Sequence, residues 1–413
     1  MPGLKNTEYS QEELMKFKRE AVKNDKKISI ALMATFVVLT LQYLILIYFK
    51  MMGTEGASAV QQISKILVGL VFLYALPAVL NRSLLKGIIV FSAAVIIFLC
   101  SYIFFPVNQP YIKNLIFPFF FMCLPAFVYS ISIRDWKVLK DIMKKASYFV
   151  FVAGVVIAAG VFSGLASVGT YSMPFSYYML LPAIMFMDEL LDRFRLRTLL
   201  FTLISVLVIL ALGARGPVLC LLVFFVFKLI KPRGRFNYQG MFLTSGAATA
   251  GLVGYIFRDG VLKALNNIFL HFGIESRSIA LFLIKGVHLS GRDRISQLLV
   301  SKIGGSPFWG FGLAGDRPFL WGSYAHNFFL EIVVNFGIII GFFVLLIIFY
   351  LILKSLVTKN KDGYSMLIIW MGLGFVHLMV SGSYLIDLKF WVFMGLVLSS
   401  LNLKIERDQG SRV

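Results

Sequence analysis

Tyr324-Ala325-His326-Asn327-Phe328-Phe329-Leu330-Glu331 marks the point where a polar, Gly-rich stretch gives way to a long apolar run. Upstream of it, residues 258–324 contain Gly291-Arg292-Asp293-Arg294 and Gly310-Phe311-Gly312-Leu313-Ala314-Gly315-Asp316. The chain on either side is dominated by apolar segments. Hydrophobic residues make up 59% of the 413 residues and charged residues only 15%, whereas soluble domains carry about a quarter charged residues. A chain of this length cannot hide so much apolar surface in one soluble core. Several runs also reach the roughly 20 residues that a helix needs to cross a bilayer. The composition therefore predicts an all-α, polytopic integral membrane protein.

About twelve spans are expected, near 28–49, 64–80, 84–105, 111–131, 146–167, 173–190, 197–213, 217–230, 239–257, 325–353, 364–380 and 385–403. The organisation follows: a basic cytoplasmic segment 1–27, nine spans in 28–257, a large outer loop 258–324, three spans in 325–403, and a cytoplasmic tail 404–413. No cleavable signal peptide is expected, because the first apolar run is too long for one. Residues 1–27 read as an amphipathic helix on the cytoplasmic side.

The charges test this layout. With the N-terminus inside, the segments 1–27, 81–86, 132–145, 188–197, 228–238, 354–363 and 404–413 hold 27 of the 40 Lys and Arg, and eight of the rest lie in the loop 258–324. Basic residues concentrated in cytoplasmic connections set orientation. The same pattern accounts for most of the +20 net charge, so no nucleic-acid partner is implied. Loop 258–324 then faces outward, and it is too long for an idle connection. It contains an amphipathic stretch, Val261–Phe272, and a second apolar one, Ile279–Val287, both expected to lie as helices on the membrane face. Cys100, Cys123 and Cys220 sit in apolar runs without metal-ligand spacing.

Few ionisable residues are available to a site on the outer face. Arg215, in Gly213-Ala214-Arg215-Gly216-Pro217, lies on a short hairpin between two spans. An arginine at that depth is usually paired or functional, although it could also reach up to headgroups. Arg292 and Arg294 flank Asp293; they read either as a solvated charge cluster or as a clamp for a diphosphate, which arginine grips in bidentate fashion. His326 opens the tenth span, either as a capping residue or as a general base, for which a pKa near 6.5 is suited. Gly337 is expected three turns further on the same face, where it would let another helix come close. No paired-carboxylate cluster, Gly-x-Ser-x-Gly, HExxH, Walker loop or dinucleotide fingerprint is present. ATP hydrolysis, metalloprotease chemistry and two-carboxylate glycoside hydrolysis are thus disfavoured.

The run from Gly310-Phe311-Gly312 to Tyr324-Ala325-His326-Asn327-Phe328-Phe329-Leu330-Glu331, followed by Gly337 and Gly341, resembles the signature of the O-antigen ligase/polymerase superfamily. Gly213-Ala214-Arg215-Gly216 is similar to that family's membrane-face arginine, and Gly291-Arg292-Asp293-Arg294 to the arginine segment of its large outer loop. The resemblance implies a GT-C-type, metal-independent, inverting glycosyltransferase without cofactors, in a bacterial plasma membrane with both termini cytoplasmic. It implies Wzy-type polymerisation from an undecaprenyl-diphosphate-linked glycan donor onto a lipid-linked acceptor, or WaaL-type ligation onto lipid A–core. His326 would be the base; Arg215, Arg292 and Arg294 would serve catalysis and the diphosphate; Tyr324, Asn327 and Glu331 would contact substrate. Chain-length regulators and flippases would be partners. The rival is a transporter of lipid-linked oligosaccharide, which predicts related halves and charges along a mid-membrane path; neither is visible.

Overall fold

The computed structural model describes residues 11–410 apart from 52, 163–172, 213, 231–257, 272–278, 280–282, 284–290, 358 and 359. Among the described residues all regular structure is helical. In chain order the helices are α1 (Gln11–Tyr48), α2 (Glu55–Phe104), α3 (Gln109–Pro118), α4 (Leu124–Ile131), α5 (Trp136–Phe162), α6 (Met173–Asp192), α7 (Leu196–Ala211) and α8 (Arg215–Ile230). They continue as α9 (Arg258–His271), α10 (Arg292–Ile303), α11 (Phe328–Leu356), α12 (Lys361–Trp370) and α13 (Leu388–Gly410).

Among the described residues, six helices are long and apolar enough to cross a membrane by length and composition. Part of the difference from the expected twelve has local causes. The expected spans 64–80 and 84–105 form one 50-residue helix, α2, about 75 Å of chain at 1.5 Å per residue and more than twice a bilayer core. Its Ser83 leaves helical geometry at φ −144°, ψ 25°, so the helix divides into two arms, each about one crossing long. Helices α7 and α8 are only 16 residues each, short of the usual span. The expected span 239–257 lies outside the described residues. The N-terminal helix is not a separate element either: α1 runs unbroken from Gln11 through the first span.

Ion pairs join the connections that the charge count puts on one side. Asp25, on α1, accepts from Arg82 Nη1 at 2.7 Å and from the Arg134 backbone N–H at 3.0 Å. Arg82 also donates to the Ser132 and Ala21 carbonyls. Asp188 pairs with Lys140 at 2.6 Å and with Lys228, while Asp192 pairs with Lys228 at 3.2 Å and Lys361 at 3.7 Å. Ala21 and Asp25, Arg82, Ser132 to Lys140, Asp188 and Asp192, Lys228 and Lys361, from six of those segments, are thereby tied together at one end, here called the basic end.

The opposite, loop end carries residues 305–328 and 380–388. Amphipathic α9 lies there, with Leu262, Leu265 and Phe269 packed against Leu210 and Ala211 of α7 and against Ile279. That periodicity was legible in sequence as Val261–Phe272. Helix α10 packs Leu299, Ile295 and Leu298 onto Leu320, Ala325 and Val334.

Gly337 has a different role from the expected one. It breaks α11 at φ +79°, ψ 173°, and what approaches it is loop backbone, not a helix. Phe311 and Gly312 donate to the Val334 and Asn335 carbonyls at 2.8 and 2.9 Å, and Ile338 donates to Pro307 at 2.7 Å. A Cβ on Gly337 would lie 2.3 Å from the Phe308 carbonyl oxygen, and one on Gly310 would lie 2.3 Å from Gly337 N. The two glycines let an extended loop lie flat on a helix break, at a left-handed φ that other residues rarely adopt. The expectation failed because His326 is not helical, so helical spacing does not relate it to Gly337.

Asp25 and Arg82 are both buried. Removing one partner of such a pair strands a buried charge, which costs about 3–5 kcal/mol. Asp25→Ala should therefore lower the unfolding free energy in detergent by about that amount. Adding Arg82→Leu should recover part of the loss, as read by unfolding titrations of the two variants.

Candidate active site at the loop end

The site is built on a buried ionic network. The Arg317 guanidinium meets Asp316 Oδ1 at 2.5 Å and Glu331 Oε1 at 3.1 Å, and donates to Ser383 Oγ at 2.8 Å. Ser383 Oγ in turn donates to Glu331, whose other oxygen accepts from the Tyr384 backbone N–H at 3.3 Å. Asn335 donates to Tyr384 Oη at 2.9 Å and accepts from Gly315 N–H. Asp316 and Glu331 are both 0% exposed, which such charges tolerate only when paired and fully hydrogen-bonded. Burial works against the Arg317 charge, but Asp316 and Glu331 outweigh it and raise its pKa.

This network reaches the candidate base through one bond. Asp316 Oδ2 accepts from Ala325 N–H at 2.8 Å, so the peptide preceding His326 is anchored to the ionic cluster. His326 itself has φ 55°. Ala314, Trp321 and His326 are three of the four non-glycine residues at positive φ among the described residues, a conformation costing about 1–3 kcal/mol each. Strain gathered in residues 314–326 and held by a rigid network is a mark of a functional segment.

The His326 ring lies 4.3 Å from that of Tyr324, tilted by 49°, and Arg317 stands over the Tyr324 ring at 5.6 Å. His326 Nδ1 is buried with no hydrogen-bond partner among the described residues. Burial lowers the His326 pKa, and the positive charges of Arg292 and Arg317 lower it further. The imidazole is therefore neutral at neutral pH. Burial, followed by Glu331, raises the Tyr324 pKa and keeps the phenol protonated.

The two loop arginines separate. Arg292, half-buried on the first turn of α10, acts electrostatically on both Tyr324 and His326. It enters no ion pair among the described residues. Arg294 points to solvent. Arg215 opens α8, half-buried; the Gly216 that follows it packs under the Tyr177 phenol, where a Cβ would lie 2.0 Å from Oη. Tyr177 in turn lies edge-on to His377 at 5.5 Å.

Two residues expected to contact substrate are occupied otherwise. Asn327 caps α11, accepting from Leu330 N–H at 3.1 Å. Glu331 is sealed in the ionic network. Sequence reasoning missed Arg317, and it placed His377 inside a span without a role. Helix α12 ends in a π turn, Met371–Phe375, and a 3₁₀ turn, Val376–Met379. His377 Nε2 there meets Asp387 Oδ2 at 2.7 Å. Burial opposes the Asp387 charge, but His377 and Lys389 hold its carboxyl down to about 2. The adjacent Asp316-Arg317 pair was the available signal for the network.

Among the described residues, no group of three His, Cys, Asp or Glu side chains is arranged to hold a metal ion. No family model, curated protein or solved structure matches the chain significantly.

If His326 works as a base, activity should fall on the acid side with a limb below pH 6.5, because its folded pKa is depressed. Arg292→Gln removes one of the charges that depress it, so the limb should move to higher pH, as read from the pH profile of kcat/KM. A limb that stays in place or moves lower would remove Arg292 from the surroundings of the base.

Proposed function

We propose that this chain is a GT-C-type membrane glycosyltransferase. It moves a growing glycan from undecaprenyl diphosphate onto a lipid-linked repeat unit, as a polysaccharide polymerase. The reading sets the loop end on the outer face of a bacterial plasma membrane, with about twelve spans and both termini in the cytoplasm. The observation that carries it is His326: a neutral imidazole whose Nδ1 has no partner among the described residues, fixed on strained backbone, with the positive charge of Arg292 nearby.

The chemistry follows from those groups. The acceptor hydroxyl oxygen attacks the anomeric carbon from the face opposite the phosphate, and its proton passes to His326. The bond between the anomeric carbon and the phosphate oxygen breaks, and its electron pair leaves with the lipid diphosphate. Arg292 and Arg215 offset the charge that builds on that leaving group, which is usually the largest catalytic contribution. Arg317 is bound to two carboxylates and a serine, so its task is to hold the His326 segment rather than to meet phosphate. Anchoring donor and acceptor against one rigid face supplies further rate enhancement.

His326→Ala should lower polymerisation by about 10²–10⁴-fold, the usual worth of a positioned base. In a producing cell, the chains should stop at one repeat unit while the variant inserts at the wild-type level. Full-length chains at normal abundance in that variant would contradict the assignment.

A further inference from the structure

A cavity of about 410 Å³ opens at the basic end, opposite the residues used above. It lies between α5, α6, the α6–α7 connection and Lys361, the first residue of α12. Five cations and four carboxylates form its lining, and a sixth cation, Lys228, is buried against two of those carboxylates, Asp188 and Asp192. The inner part of the cavity is neutralised within the protein, with Lys140 also on Asp188 at 2.6 Å. The outer part keeps an excess of positive charge. There one carboxylate, Glu189, is shared by Lys144 at 2.8 Å and Arg195 at 3.6 Å, and the exposed Arg193 enters no ion pair among the described residues.

The cations continue onto an aromatic step. Tyr148 is one turn beyond Lys144 on α5. Arg197 stands over the Tyr148 ring at 5.8 Å and over Phe201 of α7 at 5.2 Å. It is exposed and enters no ion pair among the described residues. The Phe201 ring lies 6.1 Å from Tyr148 and 4.8 Å from Phe151, so α5 and α7 run side by side here, both starting at the basic end. Each carries an exposed apolar stripe leading away from the cations: Phe149, Val152 and Val156 on α5, and Leu196, Leu200, Leu203 and Leu207 on α7. Spacings of three and four residues keep each stripe on one face of its helix. Helix α7 begins at Leu196 without a side-chain cap. The N–H groups of its first turn, that of Arg197 included, lack partners within the helix and favour a negative charge.

We infer that the basic end binds a phospholipid of net negative charge, its phosphate held by Arg197, Arg195 and Lys144 and its acyl chains laid along the two stripes. Exposed apolar surface alone would accept any lipid; the three cations, set against one carboxylate, select the headgroup. Arginine meets phosphate oxygens with its planar fork, and a basic pocket between spanning helices is a setting in which anionic headgroups are held. A soluble anion could use the same cations but would gain nothing from the stripes. These begin at Leu196, next to Arg195, and at Phe149, one turn beyond Lys145, so headgroup and chains are received together. The inference does not depend on the chemistry proposed for the loop end.

The test uses the full chain in detergent, with phosphatidylglycerol, phosphatidylcholine and inorganic phosphate as probes, and counts retained lipid by native mass spectrometry. Wild type should retain phosphatidylglycerol in preference to phosphatidylcholine. Arg197→Gln should weaken phosphatidylglycerol binding about fivefold, the usual worth of one cation facing an anionic lipid. Leu200→Ser, on the α7 stripe, should weaken it as well. Lys354→Gln removes another exposed cation that stands over a ring, that of Tyr350 at 5.3 Å, and should bind as wild type does. Both Arg197 and Leu200 are exposed, so their variants should elute as folded protein. Equal retention of the two lipids by wild type, or wild-type affinity in Arg197→Gln, overturns the inference. Inorganic phosphate that displaces phosphatidylglycerol, together with undiminished binding in Leu200→Ser, would make this a site for the free anion and overturn the lipid assignment.

Discussion

The loop end depends on one buried ion cluster. Arg317 brings together two carboxylates from separate parts of the chain, Asp316 beside it and Glu331 on the first turn of α11, and it reaches Ser383 in the connection before α13. Such a cluster is a costly way to gain stability, because each ion gives up its hydration. Its value is in specifying one arrangement. It fixes the 310–328 segment to α11 and to the 380–388 connection at once, and Asp316 passes that rigidity to the peptide that presents His326. The strained backbone of Ala314, Trp321 and His326 is held because the network and the flat contact at Gly310 and Gly337 leave the segment no relaxed alternative.

The basic end shows the same economy with a different purpose. Asp25, Asp188 and Asp192 collect Arg82, Lys140, Lys228 and Lys361, so the helices are fastened at one end by paired charges. At the other end, Arg292 enters no ion pair among the described residues.

Much of this was legible in the sequence, for physical reasons. Apolar run length and lysine placement revealed a helical membrane protein and grouped the connections that Asp25 and Asp188 tie together. The 3.6-residue period of Val261–Phe272 revealed α9. The candidate positions Arg215, Arg292 and His326 stood out because ionisable residues are scarce at that end. The contacts that give them meaning did not. Arg317 and Ser383 are 66 residues apart and Ser383 and Glu331 are 52 apart, and no local pattern encodes such pairings. Arg292 and Arg294 look alike in sequence; only the turn of α10 separates a half-buried side chain from an exposed one. The role of Gly337 was misread because spacing arguments assume a regular helix, and His326 at φ 55° lies outside it.

The central claim is that the loop end catalyses glycosyl transfer between lipid-linked substrates. Its most direct measurement uses the purified protein in lipid nanodiscs, supplied only with lipid-diphosphate repeat units, and follows glycan length by gel or mass spectrometry. The account predicts a ladder of products differing by one repeat unit, with free undecaprenyl diphosphate released at each step. Product only when lipid A–core is added would make it a ligase. Unextended substrate, with the lipid instead translocated across vesicles that contain the protein, would contradict the account.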